Sequence, residues 1–275
     1  MNVRLTLEYD GTCFHGWQSQ PNADTVQDAV ETALRTVTGE PVRVVGCSRT
    51  DAGVHALGQV AHFHTGAGIP GDRYVFALNR LLPPAVAVTA STEVPENFHA
   101  RYDARSKFYR YQFYRAPFRS ALMRNRAYHV SDSLDLSAMA EAAALFLGAH
   151  DFSACRAEGG KKGDPVRTIT RSRIVQDGSL LIYEVIGNGF LYNMVRIMAG
   201  TLLSVGRGRM SPRDVAAGLA SGDRRRMGIT LPPWGLCLVE IGYGLPINEK
   251  KCHGEGYSGS IRPVSEENGR SDRII

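Results

Sequence analysis

The feature that most constrains this fold is an order of strand-like and helix-like periods that runs twice along the chain. Val3, Leu5, Leu7 and Tyr9 alternate with polar residues, the period of a half-buried strand. The spacing of Val26, Ala29, Val30, Ala33, Leu34 and Val37 predicts a helix over 25–38. Asp24 with Gln27 fits an N-cap arrangement, and Gly39 stands where a helix stops. Strand-like segments follow at 42–46 and 57–65, then a short helix near 72–81 and a strand near 86–93. That is β-α-β-β-α-β, the ferredoxin-like order.

The second pass begins with the aromatic strand 107–114 and a helix at 136–147 built on Leu136, Met139, Ala143, Phe146 and Leu147. Segments 167–176 and 180–186 form a hairpin around Asp177-Gly178. A helix over 191–205, another starting at Ser211-Pro212 and a strand over 236–242 complete it. The expected class is α+β: two ferredoxin-like units with antiparallel sheets flanking a central cleft. The N-terminal domain covers 1–100 and the C-terminal domain 101–248. Residues 249–275 have no periodic apolar face and read as a flexible polar tail.

Composition narrows the function classes. The 275 residues carry a net charge of +5, and its distribution matters more than its size. From Arg101 to Arg126 there are eight basic residues against one acidic residue, Asp103. Further basic clusters lie at Lys161, Lys162, Arg167, Arg171 and Arg173, and at Arg207, Arg209, Arg213, Arg224, Arg225 and Arg226. With aromatics interleaved in the first cluster, this favours phosphate contacts over a merely solvated face. Cys13, Cys47, Cys155, Cys237 and Cys252 form no Cys-x-x-Cys pair, which argues against zinc and disulfides and for a reducing cytoplasm. No secretory leader is expected before the first strand. Residues 185–206 are apolar, but Gly187, Asn188, Gly189, Asn193 and Arg196 argue against a membrane span.

Three constellations could carry chemistry. Gly46 to Ala56 places Asp51 between Arg49 and Gly53 in a segment nearly devoid of bulky apolar side chains. It reads as a ligand-facing loop presenting a carboxylate; a turn aspartate bonded to its own backbone is the plainer reading. Arg196 is the sole charge between Val185 and Gly206. Either it is buried and paired, with Asp51 a suitable partner, or it snorkels along its aliphatic stem. A buried Arg196 beside Asp51 would keep the carboxylate ionised. Phe108, Tyr109, Tyr111, Phe113 and Tyr114, set among Lys107, Arg110 and Arg115, could stack bases or could be core.

Other patterns weigh less. Gly66 to Gly71 matches G-x-G-x-x-G but follows a late strand, so nucleotide-cofactor binding by an oxidoreductase is disfavoured. His62 and His64 share a strand face without a third ligand at suitable spacing. Trp17 and Gln18 mark a specialised loop.

Taken together, Tyr9-Asp10-Gly11, Gly16-Trp17-Gln18, Ser48 to Ala56, Phe98 to Arg101, Lys107 to Tyr111 and Asn193 to Arg196 closely resemble the TruA family of tRNA pseudouridine synthases. The likeness spans about residues 3 to 243. It implies isomerisation of uridine to pseudouridine at positions 38, 39 and 40 of the tRNA anticodon stem-loop, by a homodimer without metal or organic cofactor. It implies Asp51 as the catalytic aspartate, Tyr109 as the tyrosine against the target base, and Arg196 as the basic partner of the aspartate. Arg49 corresponds to an arginine associated with base extrusion, and Leu236 to an aliphatic residue packed on the uracil. Cys47, where Gly or Ala is usual, and Cys237 depart from the pattern. The competing reading is a non-catalytic RNA-binding module, which leaves Asp51 and Arg196 without a role.

Overall fold

The computed structural model describes residues 1–160 and 163–244. The tail expected over 249–275 lies outside the described residues. In chain order the elements are β1 (Asn2–Tyr9), α1 (Val26–Thr38), β2 (Val45–Gly46), β3 (His55–His64), α2 (Tyr74–Asn79) and β4 (Val86–Val94). Then come β5 (Ser106–Arg115), β6 (Tyr128–Val130), α3 (Leu136–Ala144), β7 (Gly148–Asp151), β8 (Val166–Asp177), β9 (Leu180–Gly187), α4 (Met194–Gly206), α5 (Pro212–Ser221) and β10 (Leu236–Gly242). Short 3₁₀ turns fill several connections.

The molecule is α+β, and its strands form one continuous sheet rather than two flanking a cleft. The order is β4-β1-β3-β10-β5-β9-β8-β7, with β2 on β3 and β6 on β5. β10 is the join. It runs parallel to β3, Cys237 facing His55 and Leu238 facing Ala56, and antiparallel to β5, where Leu238 faces Tyr109. Without β10 the last turn of the chain before β3 and the aromatic strand would not be neighbours.

The elements form for local reasons. α1 buries Val26, Val30, Ala33 and Leu34 on one face. Each large aliphatic removed from water there contributes about 1.5–3 kcal/mol, so Leu34→Ala would break it most directly. Its N-cap is Thr25, which accepts from the Asp28 N–H, not Asp24; Gly39 at φ 75° ends it. The β-branched hydroxyl one residue on satisfies the same orphan donor. α5 starts with a reciprocal Ser211/Asp214 capping box and Pro212 in its first turn. The β8–β9 hairpin turns at Gly178, φ 55°.

Alternation along β5 splits its side chains between the faces. Tyr109, Tyr111 and Phe113 join the main core, whereas Phe108 forms a small cluster with Ile186 and Val239 on the other side. Phe108, Tyr111 and Phe113 are fully buried, so the strand is core and offers no row of rings to stacked bases. Among the described residues, no helix is long and apolar enough to cross a membrane.

Candidate active site

The segment between β2 and β3 is irregular because its side chains are committed to holding it in place. Gln59, fully buried on β3, donates from Nε2 to the Ser48 carbonyl at 2.6 Å and accepts from the Ser48 N–H at 3.1 Å. The Ser48 and Tyr109 hydroxyls share a hydrogen bond of 2.7 Å, and the Tyr9 and Thr50 hydroxyls another of 2.7 Å. Lys107, which the sequence assigns to phosphates, instead donates to the Cys47 carbonyl at 3.3 Å. Strands β1, β3 and β5 thus grip the loop over the residues that lead up to Asp51.

The Gly-rich turn after β1 forms its bed. The Trp17 N–H donates to the Thr50 carbonyl at 3.0 Å. A Cβ on Gly16, which has φ 93°, would lie 2.6 Å from the Thr50 carbonyl oxygen, and one on Gly11 would lie 2.1 Å from that of Val54. Both positions require glycine, the first on conformation and contact and the second on contact alone. Gly46 lies against the indole of Trp17. Gly53 at φ 77° lets the chain turn sharply after Asp51, whose carbonyl accepts from the Val54 N–H at 3.1 Å.

Asp51 meets Arg196 across this turn, Oδ2 to Nη1 at 3.5 Å, with side chains 28% and 15% exposed. The snorkelling alternative is therefore excluded for Arg196. Its Nε donates to the Leu231 carbonyl at 2.7 Å and its Nη1 to Asn193 Oδ1 at 2.6 Å. Asn193 caps α4 in the left-handed conformation at φ 58°. A cation in the first turn opposes the helix dipole, so the position serves the carboxylate and not the helix.

The electrostatics correct one expectation. Burial pushes the Asp51 carboxyl above its ordinary range, and Arg196 pulls it back only in part. The arginine limits the shift but does not reverse it. Burial likewise raises the Tyr109 phenol far above its usual range, with Ser48 and Asp51 among the groups acting on it. At neutral pH Tyr109 is a hydroxyl, 7% exposed, with Phe190 edge-on at 5.2 Å between centroids. Leu236 is buried at the start of β10, opposite Tyr111. Arg49 is exposed. The structure brings Asp51 and Arg196 into contact, sets Tyr109 against the same loop, and leaves Arg49 pointing to solvent.

A model described as tRNA pseudouridine synthase matches residues 6–103 and 142–244. The chain belongs to the tRNA pseudouridine synthase family. A tRNA pseudouridine synthase A of Acetivibrio thermocellus is 52% identical over 242 residues, 88% of this chain and 99% of the relative. One of Ruminiclostridium cellulolyticum is 51% identical over the same share of each, and one of Syntrophotalea carbinolica 50% identical over 88% and 96%. The activity of such an isomerase suits a loop built around one carboxylate. Gln59 is the part of this site that sequence reasoning missed, and Tyr9 and Ser48, though inside the matching motifs, carried no assigned role. A glutamine and a tyrosine inside strands signal nothing until the loop they hold is placed beside them. Among the described residues no group of three or more His, Cys, Asp or Glu could hold a metal, and His62 and His64 stand near His99 without forming one.

Several of the basic residues are already engaged. Arg110, Arg171 and Arg173 surround the buried Glu184 carboxylate at 3.0, 4.0 and 2.8 Å. Arg207 pairs with Asp132 and Arg225 with Asp223. Lys161 and Lys162 lie outside the described residues.

Proposed function

We propose that this chain isomerises uridine to pseudouridine at positions 38, 39 and 40 of the tRNA anticodon stem-loop, with Asp51 as nucleophile. The observation that carries the reading is the Asp51–Arg196 contact in a loop immobilised just before Asp51 through Ser48 and Thr50. The N1–C1′ bond breaks, uracil rotates, C5 bonds to C1′, the C5 proton leaves and N1 takes up a proton. Asp51 drives this by attack at C1′ or C6 or by taking a ribose proton; each route uses the ionised carboxylate. Arg196 opposes the loss of that charge, and a neutral Tyr109 lies against the base. Unstacking the target costs a few kcal/mol, on the order of one lost stacking step, which Arg49 offsets by entering the gap. Leu236 packs on the uracil.

We read the working form as a cytoplasmic homodimer, and each half, meeting near residue 100, as a ferredoxin-like unit. Supporting the latter are the strand orders β4-β1-β3-β2 and β10-β5-β9-β8, antiparallel throughout. Transcripts bearing uridine at only one of positions 38, 39 or 40 test the substrate. Carbodiimide-dependent primer-extension stops are expected at each of these and nowhere else. Stops confined to another arm of the tRNA would overturn the assignment.

A further inference from the structure

A cavity of about 340 Å³ opens beside the Asp51 turn. Four segments line it: Phe14 and His15 from the Gly-rich turn, Ala52 and Gly53 next to Asp51, Asn125 from the loop before β6, and Trp234 before β10. Its volume falls at the lower end of the range for small-ligand sites. Nothing in the chemistry of Asp51, Tyr109 or Arg196 uses it.

Two observations indicate what it takes. Its rings belong to Phe14, His15 and Trp234, and Trp234 is 38% exposed, which suits a planar heteroaromatic partner. The loop that brings Asn125 is basic: Arg124 and Arg119 are exposed, and the nearby Asp10 carboxylate is ion-paired with Arg126 at 3.8 Å and stands 3.2 Å from His55. That field complements a phosphate backbone.

The walls are fixed in advance. His55 accepts the Gly11 N–H at Nδ1, so its Nε2–H is the donor, reaching the Asn125 carbonyl at 2.6 Å and the Trp234 carbonyl at 3.2 Å. A Cβ on Gly53 would come within 2.9 Å of Pro233 Cγ, so the catalytic turn packs directly on the Trp234 segment.

We propose that this cavity is a nucleobase subsite that receives one unpaired base flanking the target uridine and stacks it on Trp234. The subsite rests on the tRNA reading of Asp51. Ala52 and Gly53 lie one and two Cα steps of about 3.8 Å from Asp51. Because the cavity is lined by the two residues that directly follow Asp51, the captured base is a close neighbour of the target. Holding it anchors the strand while the target is extruded.

The chain has two tryptophans, and Trp17 is only 2% exposed, so changes in fluorescence quenching report on Trp234. An anticodon stem-loop RNA added to the wild type is expected to quench its emission and protect it from acrylamide. Trp234→Ala should lose the quench and weaken binding by about five- to 150-fold, the range for one stacked base, while Trp234→Phe restores most of the affinity. A stem-loop made abasic within two positions of the target should bind the wild type as weakly as the intact RNA binds Trp234→Ala. Tight RNA binding with no quench in the wild type, or equal affinity in Trp234→Ala, would overturn the subsite. Quenching without pseudouridine formation in the wild type would instead leave the subsite standing and overturn the catalytic reading.

Discussion

Gln59 holds both backbone polar groups of Ser48, at 2.6 and 3.1 Å, three residues before Asp51. Its Nε2 also reaches the Tyr9 hydroxyl at 3.4 Å, and that hydroxyl holds Thr50. One amide therefore links the residues on either side of Arg49 and leads up to the nucleophile. This is a means of fixing a carboxylate in a segment that has no regular secondary structure.

Gln59→Leu should strand the buried Ser48 N–H and carbonyl, at about 1–3 kcal/mol for each group. The loop then loses its register, and displacing a catalytic group by about 1 Å costs about a hundredfold in rate. Steady-state kinetics should show a fall in kcat with little change in KM for tRNA. A variant that melts earlier yet keeps full kcat would mean the clamp is structural only.

Arg196→Ala removes the group that opposes the upward shift of the Asp51 carboxyl. Its pKa should rise further, and the acid limb of kcat/KM should move toward neutral pH by about one to three units. Arg196→Lys should lie between the two. An unchanged limb in the alanine variant would break the proposed pairing.

The same shift has a sign for stability. The folded Asp51 carboxyl titrates above the unfolded one, so ionising it disfavours folding. The penalty is absent below the unfolded pKa, grows as pH rises, and is complete above the folded pKa. Asp51→Asn should therefore melt above the wild type at pH 8 and no higher than it near pH 3, while losing turnover. Thermal melts at the two pH values decide this.

Glu184 is the anchor of a buried charge cluster, its side chain 2% exposed among three arginines. Glu184→Gln removes the buried carboxylate that the three arginines share and should cost about 3–5 kcal/mol in urea unfolding, with turnover at low temperature preserved. A loss below about 1 kcal/mol would show that the arginines reach solvent readily.

What the sequence made legible was local. The period of α1, the Asp177-Gly178 turn, and Asp51 amid small and polar neighbours are all decided within a few residues. Arg196 stood out because a lone charge in an apolar helix calls for a partner, and the fold supplied it. What remained hidden depends on pairing at long range. β10 comes from the far end of the described chain to join β3 to β5, Cys237 opposite His55. Gln59 and Tyr9 matter only through the loop they touch, and Glu184 between Tyr183 and Val185 reads as a solvent-facing strand position until the arginines of β5 and β8 cover it. The aromatic strand misled for the converse reason: the rings of Phe108, Tyr111 and Phe113 that suit stacked bases suit a core equally well, and burial gives more.

The central claim is that Asp51 carries the isomerisation. tRNA transcripts tritiated at uridine C5 release one tritium to water for every pseudouridine formed. Wild-type protein should release it without added metal or nucleotide, and Asp51→Ala should release none while still binding the transcript. Release by Asp51→Ala at the wild-type rate would contradict the account.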